Sequence, residues 1–289
     1  MKARVLLPLL LAAACSTPQP RYLVGEAYSL GGVWSYPRED FTLVETGLAT
    51  RQAGPGWNTP TANGEAWSSS RALAAHRTLQ LPAVVTVTNL ENGSSLTLRV
   101  NDRGPVNPGR VIGLSDRAAD LLGIPPGGAA QVRVAVDGDR SRALGEGVLG
   151  RPPEAIAIEA APRAAVASES LAPPPGARDA GQRSVAVPVT ASAAPVAASA
   201  PAQVVLPETV TPGMPNPGRI FVEAGILSRA DAAQRLAARI PGARVEAFGP
   251  RRDQRYRVRV GPFSTAAQAD ATLERTLAAG VSGARILVD

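Results

Sequence analysis

Cysteine, lysine and histidine each occur once in the 289 residues, as Cys15, Lys2 and His76, and aromatic residues make up only 4% of the chain. A lone cysteine excludes an intramolecular disulfide framework, and no cysteine or histidine spacing suits a metal site. No metal and no other cofactor is expected. The chain also lacks a glycine loop that would cradle phosphates and a turn that would present a nucleophilic serine. Ser68, Ser69 and Ser70 read as loop polarity. The one strongly apolar run, residues 5–14, is too short to span a bilayer alone. Glycine (28) and proline (27) are numerous, which favours two compact cores joined by extended Pro/Ala-rich connectors over one large core.

The net charge is +6, and beyond Lys2 every strong cation is arginine. Arginine presents a planar fork to hydroxyls and carboxylates. A genome that spells basic residues as arginine would give the same bias. Basic charge would permit nucleic acid, but no recognition motif accompanies it, so no nucleic-acid partner is expected.

Residues 1–14 carry Lys2 and Arg4, then VLLPLLLAAA, and read as a secretory signal. Cys15 follows three alanines and resembles a bacterial lipobox, with Ala12 where leucine is usual. Cys15 is therefore expected to be acylated, and several acyl chains would hold the protein on a membrane as one would not. Ser16 in place of aspartate resembles the outer-membrane sorting signal. Residues 15–44 then form a lipid-anchored tether and an N-terminal arm of short strands.

Residues 61–105 hold the candidate chemistry. Asn63-Gly64 is a tight-turn signal directly before Glu65. Residues 83–89 and 95–101 are β-branched and near-alternating around Glu91-Asn92-Gly93, which predicts a hairpin. That hairpin delivers Asp102 to a strand end beside Arg103, and Gly104-Pro105 must turn. A carboxylate on a rigid strand end, open to a substrate, suits acid/base chemistry. Further on, Ser115 caps a short helix that stops at Gly123, and residues 130–136 supply a last strand.

TANGE, AAHRTLQLP, VTNLENG and LRVNDRGP resemble, in order and spacing, the core motifs of the rare lipoprotein A family, which are septal-ring lytic transglycosylases. The resemblance implies a double-psi β-barrel over residues 45–137 and cleavage of peptidoglycan glycan strands to 1,6-anhydro-muramic ends. It implies Asp102 as acid/base, Glu65 as the second carboxylate and His76 as the group that hydrogen-bonds and orients both. Arg103, Trp57 and Trp67 are candidate sugar contacts, although either indole could instead plug the barrel. Two departures stand out. Gly47-Leu48-Ala49-Thr50-Arg51-Gln52 lacks the family's Trp-Tyr pair, and Gly113 stands where the family has aspartate. Both favour an alternative: a non-catalytic septal glycan binder. An expansin-like glycan loosener on the same barrel is a third reading.

Residues 138–217 turn to Ala, Pro, Val, Ser and Gly, and read as a disordered spacer. From 218 to 289 the order is βαββαβ, with Ser228 as a helix cap and a four-stranded antiparallel sheet backed by two helices. YRVRVGPF resembles the signature of the SPOR domain, which implies binding to septal peptidoglycan strands stripped of stem peptides. Alternation places Val258 and Val260 toward the helices, and Arg255, Arg257 and Arg259 on the open face with Phe221 and Glu223. Tyr256 of the signature is counted with these candidate glycan contacts. The fold class is thus mainly β barrel plus α+β. The expected partners are glycan strands, a membrane through the lipid, and divisome proteins. The expected location is the periplasmic face of the outer membrane, enriched at the septum.

Overall fold

The computed structural model describes residues 20–56, 59–150 and 206–289, so Cys15, Trp57 and the sequence from 151 to 205 lie outside the described residues. The arm opens with a bridge between Leu23 and Leu81, then an antiparallel pair, β1 (Tyr28–Leu30) and β2 (Val33–Ser35). Six strands follow: β3 (Val44–Arg51), β4 (Leu73–His76), β5 (Ala83–Asn89), β6 (Ser95–Asp102), β7 (Ile112–Leu114) and β8 (Ala129–Val136). Their order, β4-β7-β3-β8-β5-β6, closes through a β4–β6 pairing into a double-psi barrel. The β3–β7 and β4–β6 pairs are parallel, and the other four are antiparallel.

The closure follows from period-two patterning. Val85 and Val87 of β5, Leu96, Leu98 and Val100 of β6, and Val132 and Val134 of β8 are at most 1% exposed and fill the interior. Each such side chain contributes about 1.5–3 kcal/mol by leaving water. Helix α1 (Asp116–Leu121) closes one end with Ala118 and Ala119, and Ser115 Oγ caps it by accepting from Ala118 N. The β5–β6 turn uses Gly93 at φ +79°, where a Cβ would also collide with the Gly213 backbone.

Residues 138–150 are not spacer. Helix α2 (Gly138–Val148) is capped by Asp137, which accepts from Arg140 N at 3.0 Å. Ser141 of α2 bridges both polar groups of Val84, accepting from its N–H and donating to its carbonyl. The far end of the expected spacer is also structured. Glu208 accepts from Ala72 N and Arg117, and β9 (Val210–Thr211) adds to the start of β6, where β4 does not reach.

The C-terminal unit runs β10 (Ile220–Leu227), α3 (Ala230–Ala238), β11 (Arg244–Phe248), β12 (Arg255–Phe263), α4 (Ala266–Ala278) and β13 (Arg285–Val288). The sheet order is β11-β12-β10-β13, all antiparallel, with the helices on one face. Ser228 does not cap α3. Arg229 occupies the cap position without capping a helix N–H, and its guanidinium pairs instead with Asp231 in the first turn.

This unit sits on the barrel. Strand β3 turns Ala49 inward and Leu48 outward, and Leu48 joins the cluster formed by Ile220, Val222, Leu273 and Ile286. Arg110 grips Asp270 of α4 through two bonds, 2.6 and 2.8 Å. Thr46 Oγ1 donates to the Val288 carbonyl, and Gly218 N donates to Gln131.

Candidate functional site

Strand β6 and the turn at residues 61–65 build the site together. Along the β4–β6 ladder, Ala74 faces Val100 but Ala75 faces Asp102, so Asn101 is the extra residue of a bulge. Bulges re-aim side chains next to active sites. Asp102, 8% exposed, accepts on Oδ1 from Ala62 N (2.9 Å) and from its neighbour Arg103 N (2.8 Å). Its Oδ2 accepts nothing among the described residues. Burial pushes the carboxyl above the usual range, against the lowering effect of those two N–H groups and the Arg103 charge. One oxygen is thus fixed to the backbone, and the other is left to carry a proton.

Glu65 lies on the same turn but in a different state. Arg99 pairs with both of its oxygens, Asn63 donates to Oε1 at 2.8 Å and Asn101 to Oε2 at 3.3 Å. Glu65, Arg99 and both asparagines are at most 6% exposed. A buried carboxylate so fully paired is a fixed countercharge that shapes the turn, because breaking it would strand the guanidinium. The fold brings the end of β6 with Asp102 against the turn that carries Glu65, as expected, but Arg99 and Asn101 were not singled out and Asn63 was read only as a turn former. Three polar residues on alternating strand and turn positions resemble ordinary surface, and only the fold turns them inward.

His76 does not orient these carboxylates. Its Nδ1 accepts from Thr78 N and Leu79 N, and its Nε2 meets Glu45 Oε1 at 2.7 Å. This network assigns the ring proton to Nε2. The reason is periodicity: Ala75 is the ladder partner of Asp102, so the next side chain leaves on the opposite face. Glu45 is the partner that sequence spacing missed.

Arg103 is a structural clamp, not an open sugar contact. Its guanidinium donates to the carbonyls of Leu79 and Val24 and lies 5.9 Å from the Tyr28 ring centroid. Trp67 packs over Gly54, with its indole N–H buried and unpartnered. Gly113 leaves space that is already filled. Gln52 lies against both Gly104 and Gly113, where either Cβ would collide with its amide. Its Nε2 donates weakly to the Arg103 carbonyl (3.4 Å), and its Oε1 is buried without a partner.

On the C-terminal sheet, Phe221, Glu223, Arg257 and Arg259 do share one face. They are bound to one another. Arg259 stacks 4.1 Å from the Phe221 centroid and pairs with Glu246 and Asp289. Arg257 stacks on Phe248, and Glu223 is held by Arg257 and Arg285. Arg255 is exposed beside Asp253. Tyr256 is on the helix side, packed with the hydrophobic cluster, as the alternation with Val258 and Val260 requires. No group of three or more metal-ligating side chains occurs among the described residues.

Comparison with known proteins divides the chain the same way. A family model for lytic transglycolase matches residues 51–134, and one for the SPOR domain matches residues 216–286. Glu65, His76 and Asp102 fall inside the first, and Glu45 falls outside it. Curated relatives carry the name endolytic peptidoglycan transglycosylase RlpA. One from Pseudomonas aeruginosa is 34% identical over 261 residues, covering 85% of this chain and 71% of the relative. One from Yersinia pestis is 31% identical over 304 residues, covering 87% and 82%. One from Rickettsia bellii is 40% identical over 116 residues, covering 39% and 51%.

Proposed function

The chain belongs to the RlpA family of endolytic peptidoglycan transglycosylases, and from that premise we propose that its barrel cleaves peptide-free glycan strands with Asp102 as the only proton-transferring carboxylate. The observation that carries this is the contrast between the two buried carboxylates. Glu65 is fully paired, whereas Asp102 keeps one oxygen unbonded and its carboxyl is raised by burial. A lytic transglycosylase can work with one such group. The muramic C6 hydroxyl attacks its own C1, the leaving oxygen takes the proton of the acid, and the resulting base accepts the C6 hydroxyl proton. Glu65, paired with Arg99, holds the turn whose Ala62 N–H fixes Asp102.

Mass spectrometry of amidase-treated peptidoglycan, digested with the mature chain, tests this. Anhydro-ended products are expected, with Asp102→Asn slower by about 10²–10⁴-fold. Reducing ends instead would show hydrolysis. Binding without products would favour the non-catalytic septal binder, the reading to which Gly113 points.

The reading also places the protein at the septum, on the periplasmic face of the outer membrane, held by acylated Cys15. The SPOR match supports the septal part, and the lipobox-like sequence supports the anchor. Cys15→Ala is expected to release the protein from the membrane fraction and to abolish acyl labelling. Retention with unchanged labelling would remove the anchor.

A further inference from the structure

A cavity of about 380 Å³ opens where the arm, the barrel and the C-terminal unit meet, and neither Asp102 nor Glu65 lines it. Its size is that of a small-molecule site. Strand β2 and the residue after it contribute Trp34 and Tyr36, which alternation places on one face around buried Ser35. They are 59% and 67% exposed, the only large aromatics so exposed among the described residues. A chain this poor in aromatics leaves two rings in water beside one cleft, although burial would stabilise each. Indole and phenol offer a flat apolar face with a polar edge, the surface a pyranose ring stacks on.

The walls complete the chemistry. His76 and Glu45 form a hydrogen-bonded pair in the lining. Arg77 lines it too, and it ties Leu30, Ser35 and Val106 together with no carboxylate partner among the described residues. Four guanidiniums, those of Arg38, Arg77, Arg110 and Arg285, thus line the cleft against one carboxylate, Glu45, while Asp40, Asp270 and Glu223, which hold three of them, lie outside the lining. Across the cleft stands Arg285, whose fork also holds Glu223 on the C-terminal sheet face. The cleft and that sheet face thus share one residue and form a continuous surface.

We infer that this cleft is a carbohydrate subsite for glycan carrying free carboxylates, stacked on Trp34 and Tyr36 and led by Arg285 onto the sheet face. The inference rests on the glycan reading above and sharpens it. A muramoyl residue stripped of its peptide exposes a lactyl carboxylate, and the positive cleft selects for that group. A strand whose carboxylates are still amide-linked offers no such charge.

The test uses the mature full-length chain and defined denuded glycan oligomers, with binding followed by calorimetry and cleavage by product analysis. Trp34→Ala with Tyr36→Ala is expected to weaken binding about tenfold and to raise KM equally, with kcat unchanged. Trp34→Phe with native Tyr36 should retain most of the affinity. Oligomers whose carboxylates are capped as amides should bind the native chain more weakly. Affinity within about twofold of native for the double alanine variant, with its thermal midpoint unchanged, would overturn the subsite. So would equal affinity for free and capped oligomers. Trp34-dependent binding without anhydro products would leave the subsite standing and remove the catalytic reading. Anhydro products at native KM from the double variant would do the reverse.

Discussion

Gln52 lies over two glycines, and that contact decides what Gly113 means. Its amide occupies the space a side chain at 113 would enter, and it reaches the carbonyl of Arg103, next to Asp102. The departures from the family pattern at 52 and at 113 thus meet in one space, which the Gln52 amide fills. Restoring aspartate at 113 alone should therefore do harm. Gly113→Asp is expected to cost about 1–3 kcal/mol in urea unfolding, because the core around Gln52 cannot expand freely. It should also lower turnover by shifting the residue 102–104 turn. Gly113→Asp combined with Gln52→Ala should recover most of that stability. A Gly113→Asp protein as stable as the parent, with Gln52 intact, would show that the amide moves aside at no cost.

Elements with one dominant period were legible, and those fixed by partners were not. Strands β5, β6 and β12 alternate β-branched residues with polar ones, so their bounds and faces follow from the chain alone. Ser115 and Thr265 mark helix starts by accepting from the N–H three residues on. The bulge at Asn101 could not be read, because register against β4 leaves no trace in the pattern of β6. The same missing register hid that His76 leaves β4 away from Asp102, so the orienting role that the resemblance implied for it could not be checked from the chain. Helix α2 contains three glycines and little apolar surface, a composition that reads as spacer. Its stability comes from the Asp137 cap and from Ser141 and Leu144 seated on the barrel, which is tertiary packing overriding propensity. Tyr256 was misassigned for a different reason. It belongs to a recognisable signature, and the signature outweighed an alternation that already placed it with Val258.

The whole molecule behaves as two units joined by contact as well as by chain. Leu48 lies in the C-terminal cluster, and the Arg110–Asp270 fork is mostly shielded from water, with Arg110 only 9% exposed. Charge-assisted bonds of this kind contribute on the order of 1.5–3 kcal/mol. Asp270→Ala is expected to split thermal unfolding into two transitions and to raise the radius of gyration in small-angle scattering. Arg110→Ala should match it, and the double variant should add little to either. A single transition with unchanged dimensions in Asp270→Ala would mean that the apolar contact around Leu48 suffices alone.

Leu206 and Leu144 line one small apolar pocket on the barrel wall, with Val84 and Arg99 behind them. The chain therefore leaves the barrel and returns to it at nearly the same point. The described residues on both sides of 151 to 205 are thus held on one wall of the barrel. The spacing between barrel and sheet face is then set by folded contacts, Leu48 in the C-terminal cluster and Arg110 on Asp270, and not by the length of sequence that separates the two units.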